Sequence, residues 1–240
     1  MTDVTATQLA PLTVRHSRRA RRLAVRVFRS GRAEVVVPPR TSERVVSDFI
    51  AHHRDWIEAR RQRAQHERPV PATFPPARLG LAAFGEDWSL RALPGAGRPR
   101  LVQVAPDGLE VRGAPTDAGL WQLLRAWVRA RATLRLGPWL AALADETGLG
   151  FRCFAVRRQR TRWGSCSTRG TISLNACLAF QRPAVVRYLL LHELAHTQHM
   201  NHSSRFWHLV ARLEPDWRRL DRELTAGWRQ VPAWMLDDGD

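Results

Sequence analysis

Lysine is missing from all 240 residues, so each of the 38 basic side chains is an arginine. That absence removes whole chemistries, because neither a Walker-loop lysine nor a Schiff-base lysine can be supplied. Cysteine is scarce as well. Cys153, Cys166 and Cys177 form no Cys-x-x-Cys pair, and an odd number argues against a disulfide framework. No apolar run approaches membrane-spanning length, and no membrane partner is expected. Met1 to Leu12 is polar and threonine-rich, without the basic-then-apolar order of a secretory signal. The expectation is a soluble cytoplasmic protein. Internal repeats and low-complexity blocks are also wanting.

What is present suits one large domain, or a core with a smaller appendage, and 44% hydrophobic residues can bury a real core. A net charge of +16 would ordinarily point to nucleic acid or another anionic surface. Arginine without lysine, together with little isoleucine, equally suits a GC-rich coding background. The run Arg18–Arg22 reads as a nucleic-acid arm or, more simply, as the solvated lead-in to a strand.

Residues 13–38 read as two strands around a turn at Gly31, and from Ser42 the apolar spacing becomes helical through Ile57. His52, His53 and His66 lie on or beyond this helix without metal-binding neighbours. A proline-rich connection, Pro69 to Pro76, leads to short strands over 79–113. A second amphipathic helix begins near Pro115-Thr116, and Gly137-Pro138 is expected to interrupt it. Trp121, Trp127 and Trp139 suit helix packing better than base stacking. Phe154 and Val156 suggest a strand, Trp163 to Cys166 a turn, and Thr171–Leu178 a half-buried strand by strict alternation. Pro183 opens the next helix. The division expected is a β-rich region with one long helix over 1–113 and a catalytic region over 114–240, together forming one unit.

That last helix carries His192-Glu193-Leu-Ala-His196, with His199 and His202 beyond it. Two histidines four apart on a helix present both imidazoles on one face, and Glu193 beside the first can reach water on a shared metal. With nine histidines in the chain, His-Glu-x-x-His arises by chance in roughly one such chain in seventy. Adding a histidine at 202 lowers that to about one in two thousand. A continuous helix would turn residue 202 about 120° away from the ligand face. The helix must therefore stop between 197 and 201, with Asn201 as the expected left-handed exit and Ser203 or Ser204 capping the next helix. That helix holds Phe206, Trp207, Val210 and Leu213, closes at Pro215, and carries His208 on its surface. His202 is the leading third ligand. Glu214, Glu223 and His199 are the alternatives.

One zinc ion held by His192, His196 and His202 keeps a fourth position for water, with Glu193 as general base. A purely structural zinc would leave that glutamate without purpose. Arg160, Arg162, Ser165 and Asn175 are candidates to bind substrate or a developing oxyanion.

Arg162-Trp-Gly-Ser-Cys-Ser167, Ile172-Ser-Leu-Asn175, His192-Glu-Leu-Ala-His196, Asn201-His-Ser203, Phe206-Trp207 and Pro215-Asp216 occur in an order that resembles the YgjP-like metallopeptidase domain family, relatives of the SprT-like and WLM zinc peptidases. The resemblance implies an α+β fold with a zincin-like core, a peptide or protein substrate, and Thr171–Leu178 as the cleft strand that pairs with it. The histidine spacing equals that of metzincins, but His199 stands where those proteins carry glycine. Two other activities stay in view. One is a metal-dependent nucleoside triphosphate pyrophosphatase, with Arg157, Arg158, Arg160 and Arg162 holding the nucleotide. The other is a SprT-like protease acting on proteins bound to nucleic acid.

Overall fold

Short β-branched runs build the first sheet, in a computed structural model that describes residues 12–28, 32–66, 74–93 and 95–236. The expected Gly31 turn, most of the proline-rich connection (67–73) and residues 1–11 lie outside these ranges. Strands β1 (Leu12–His16), β2 (Ala24–Val27) and β3 (Ala33–Val37) lie in the order β1-β3-β2, with β3 parallel to β1 and antiparallel to β2. Two strands were expected here. β1 has too few apolar residues to declare itself, and becomes a strand by pairing with the valine-rich β3. Arg18, Arg19, Arg21 and Arg22 are exposed in the β1–β2 connection.

The helix after Ser42 is divided into α1 (Glu43–His52) and α2 (Arg54–His66). Ser42 occupies the N-cap position without a side-chain cap bond. At the break, the His53 backbone N–H bonds the Phe49 carbonyl, and its Nδ1 lies 2.9 Å from the same oxygen. Val35, Val37 and Val46, flanked by Leu12, Val25 and Phe49, form a small core.

Two compact units make up the chain, 1–68 and 69–240. In the second unit, the next sheet shares its core with the following helix. That sheet has β4 (Arg78–Leu81), β5 (Glu86–Leu93), β6 (Arg100–Ala105) and β7 (Gly108–Arg112) in the order β4-β5-β7-β6. Leu81, Trp88, Leu109 and Val111 join one apolar cluster with Leu124, Leu136 and Leu140 of α3 (Asp117–Thr147).

Gly137-Pro138 does not interrupt α3, which runs through both residues. The cost of the missing proline N–H is outweighed by an apolar stripe, Leu120, Leu124, Val128, Leu136 and Leu140, buried on both sides of it. Gly137 has its own purpose: a Cβ there would come within 2.5 Å of the Phe154 ring. Glycine lets the helix lie against β8 (Cys153–Arg157).

The second sheet of this unit has the order β8-β10-β9, with β9 (Gly164–Cys166) antiparallel and β8 parallel to β10 (Thr171–Asn175). Two expectations change here. Trp163–Cys166 is mostly strand rather than turn. The strand from Thr171 ends at Asn175, whose side chain accepts from the Cys177 N–H and starts a 3-10 turn over Ala176–Phe180. Then follow α4 (Pro183–Ala195), α5 (Ser204–Leu213), α6 (Trp217–Ala226) and the short α7 (Ala233–Leu236). The fold is α+β. Among the described residues no helix is long and apolar enough to cross a membrane.

Pro138 is exposed, so Pro138→Ala leaves the packed stripe alone and restores a backbone donor. It should stabilise the protein by about 1–3 kcal/mol, less the smaller benefit proline gives by stiffening the unfolded chain. A thermal melt should show an increase of several degrees. An unchanged or lower midpoint would mean that α3 has already absorbed the proline at no cost.

Candidate metal centre

The buried face of α4 explains where the site sits. Val185, Val186, Leu189, Leu190 and Leu194 anchor the helix in the core, bringing its last turn to the end of the second sheet. His192 and Glu193 lie in that turn, and His196 is the C-cap residue. The backbone then leaves the helix as expected, but by another route. The Thr197, Gln198 and His199 N–H groups bond back to Leu194 and Ala195, and the His196 ring uses Nδ1 to bond the His199 carbonyl at 3.0 Å. Asn201 is not left-handed; among the described non-glycine residues only Arg40 has positive φ. Ser203 caps α5 by accepting from the Phe206 N–H at 3.5 Å. α5 ends at Leu213, ahead of Pro215 as expected.

This exit returns His202 to the helix. Its Nε2 lies 3.2 Å from His192 Nε2. Nitrogens of His192, His196 and His202 all lie within 4.8 Å of one another. Two imidazoles on one tetrahedral zinc at the usual bond length have nitrogens about 3.3 Å apart, so the donors present fit such an ion. Among the described residues these three form the set of potential ligands that converges. The competing carboxylates are engaged elsewhere: Glu214 faces Arg187 at 3.3 Å and Glu223 pairs with Arg182 at 2.5 Å. His199 does not belong to the converging set. His208 is exposed and bonds the Ser204 carbonyl.

Phe206 is the floor of the site. It is fully buried, with ring centroids 4.9, 4.5 and 4.9 Å from those of His192, His196 and His202. Trp207 stacks on His202 and in turn on Trp217. In the sequence these aromatics show as a helix stripe; nothing in their spacing marks them as the support of three imidazoles. Burial, and then the neighbouring His196 and His202, push the His192 pKa down to about 3, and burial lowers that of His196. Both rings are therefore neutral, as metal ligation requires.

Glu193 is 3% exposed, and its Oε2 has no hydrogen-bond partner among the described residues. Burial pushes its pKa up to about 8, against a lowering influence from Arg162. Its other oxygen rests on Gly164, where a Cβ would come within 2.4 Å of Oε1. Gly164 is thus a site residue that the sequence showed only as part of a string.

The candidate substrate residues separate. Arg162 is exposed just ahead of β9 and acts electrostatically on Glu193. Asn175 is fully buried, and its amide nitrogen donates to the Gln159 and Arg162 carbonyls, both at 2.8 Å. Neither amide hydrogen is left for a ligand, so Asn175 fixes the loop that presents Arg162. Alternation along β9 puts Ser165 on the face opposite Gly164 and Cys166. Burial, and then Glu193, raise the Cys166 pKa, which places that thiol on the Glu193 side. Arg158 donates to the Met235 carbonyl at 3.4 Å.

The cleft strand also changes. β10 has neighbours on both sides, so it cannot pair with an extended ligand. The edge is β9, which pairs with β10 alone among the described residues. Asn175 N–H bonds the Trp163 carbonyl and Ser167 N–H bonds that of Thr171. By alternation, the backbone groups of Gly164 and Cys166 face outward.

Three imidazoles around one point, with a carboxyl group alongside, form a candidate metal centre. The chain belongs to the YgjP-like metallopeptidase domain family, whose model matches residues 21–226. No curated protein matches it. Among solved structures it is similar to the metallopeptidase zymogen of Pyrococcus abyssi abylysin, at 28% identity over 36% of this chain and 89% of that one, with a TM-score of 0.33.

Two measurements test this geometry. In metal-free protein, Glu193 is protonated in both folded and unfolded states below its ordinary value of 4.5. Between there and about 8 the unfolded chain releases a proton that the fold retains, so stability is lost as pH rises. The melting temperature of Glu193→Gln minus that of the wild type should therefore climb from pH 4.5 to 8. A flat difference would contradict the buried, protonated carboxyl. Gly164→Ala must displace that carboxyl, and a shift of this kind costs about 10²-fold in kcat. Near-normal peptide hydrolysis by this variant would show that the contact does not set the geometry.

Proposed function

We propose that this chain is a zinc-dependent metallopeptidase in which His192, His196 and His202 hold one zinc ion and Glu193 is the general base. The observation that carries the reading is the 3.2 Å approach of two histidine Nε2 atoms beside a buried carboxyl oxygen without a partner. Zinc held by these three histidines would supply Lewis acidity to water and to the scissile carbonyl, and its positive charge would favour the ionised form of Glu193.

The protein's own groups do the rest. Glu193 takes a proton from the attacking water at Oε2 and returns it to the leaving amine. The outward-facing backbone of Gly164 and Cys166 on β9 pairs with an extended peptide, so the scissile bond lies along the strand that borders Glu193. Arg162, held by Asn175 through its carbonyl, offers positive charge to the developing oxyanion. Burial keeps the His192 and His196 rings neutral, and Phe206 and Trp207 pack against the ligand rings.

Peptide-library hydrolysis by zinc-loaded protein tests the reading. Glu193→Gln should lose at least about 10²-fold in turnover while retaining bound zinc, and chelation should abolish wild-type activity until zinc is restored. Full activity in Glu193→Gln would remove this residue from the mechanism. If the same preparation released pyrophosphate from nucleoside triphosphates and left peptides intact, the nucleotide reading would replace this one.

A further inference from the structure

Tyr188 is the sole tyrosine in the chain and is fully buried, one helical turn before His192. A buried phenol needs a partner, and this one has two. Its hydroxyl donates to Asp221 Oδ1 at 2.8 Å and lies 3.4 Å from His192 Nδ1. Asp221 comes from α6, which packs on α4, so the chain of contacts joins two helices at the site.

The proton arrangement follows from counting. The hydroxyl has one hydrogen, and the shorter bond assigns it to the carboxylate. Its oxygen can then only accept from His192, which requires the hydrogen of that imidazole to be on Nδ1. Nε2 is left with its lone pair, and Nε2 is the atom that faces His202 at 3.2 Å. His196 is treated similarly, its Nδ1 bonding the His199 carbonyl.

We infer that Tyr188 and Asp221 act together as positioning residues, setting the tautomer and ring angle of His192 so that Nε2 is presented to the metal. This rests on the three-histidine metal reading and adds two residues that never touch the ion. An ordinary core tyrosine would need Asp221 alone; the second contact, to the ring of a ligand, gives the pair its role. Partners of this kind typically change metal affinity 10–100-fold.

The test measures zinc affinity of the full chain by competition with a chromophoric chelator, and the visible spectrum of the cobalt-substituted protein. Tyr188→Phe preserves the ring volume in the core, and Asp221→Asn keeps the size of a half-buried side chain. Each should weaken zinc binding about tenfold or more and shift the cobalt bands. The double variant should be hardly worse than either single one, because the two act through one chain of bonds. Circular dichroism of each metal-free variant should match the wild type. If Tyr188→Phe fails to fold, Asp221→Asn decides the matter alone. Affinities within twofold of wild type with unchanged cobalt spectra, or fully additive losses, would overturn the inference while leaving the metal site standing. A wild-type chain that binds neither zinc nor cobalt would instead overturn the metal reading itself.

Discussion

A helix with 3.6 residues per turn cannot bring residue 202 to the face shared by 192 and 196. The site therefore depends on how α4 ends. Three backbone N–H groups bond back to Leu194 and Ala195, and His196 holds the His199 carbonyl with the ring nitrogen turned away from the ligand point. One side chain thus serves in both helix termination and ligand orientation. Once the chain has turned, Ser203 starts α5, and Phe206 reaches back under all three imidazoles. Ligands, turn and floor lie within fifteen consecutive residues, 192–206, so little chain entropy separates folding of this segment from assembly of the site.

The burial that organises the rings also sets their chemistry. Desolvation disfavours charge on His192 and on Glu193 alike, leaving one neutral as a base and the other neutral as an acid in the metal-free fold. A buried carboxyl oxygen without a partner is unfavourable for stability. Its retention 3% exposed is understandable where a cation and a water belong beside it. Gly164 makes the arrangement possible by having no side chain where the carboxyl group rests.

The second sheet extends the same economy to substrate. Its central strand, β10, contributes structure: Ile172 and Leu174 to the core, and Asn175 to the loop before β9. In the proposed function the short β9 serves recognition: one edge pairs with β10, and the other carries no strand among the described residues.

The metal motif was legible in the chain because it is local: residues four apart on a helix face the same way whatever surrounds them. The same holds for the Pro183 helix start, the Ser203 cap and the alternation through Ile172 and Leu174. The Gly137-Pro138 break and the left-handed Asn201 were local readings too, whereas the cleft role of Thr171–Leu178 came from the family resemblance, and each gave way to the tertiary structure. Buried leucines on both sides kept α3 continuous, a side-chain bond from His196 replaced the left-handed exit, and β9 took the sheet edge. What the sequence alone determined is that two histidines share one helix face with a glutamate beside the first, since that spacing follows from helix geometry. Tertiary structure alone decided which residues surround it: Gly164, Phe206, Tyr188 and Asp221 come to the site from separate turns and elements. Residue spacing carries no information about contacts made when distant elements pack together.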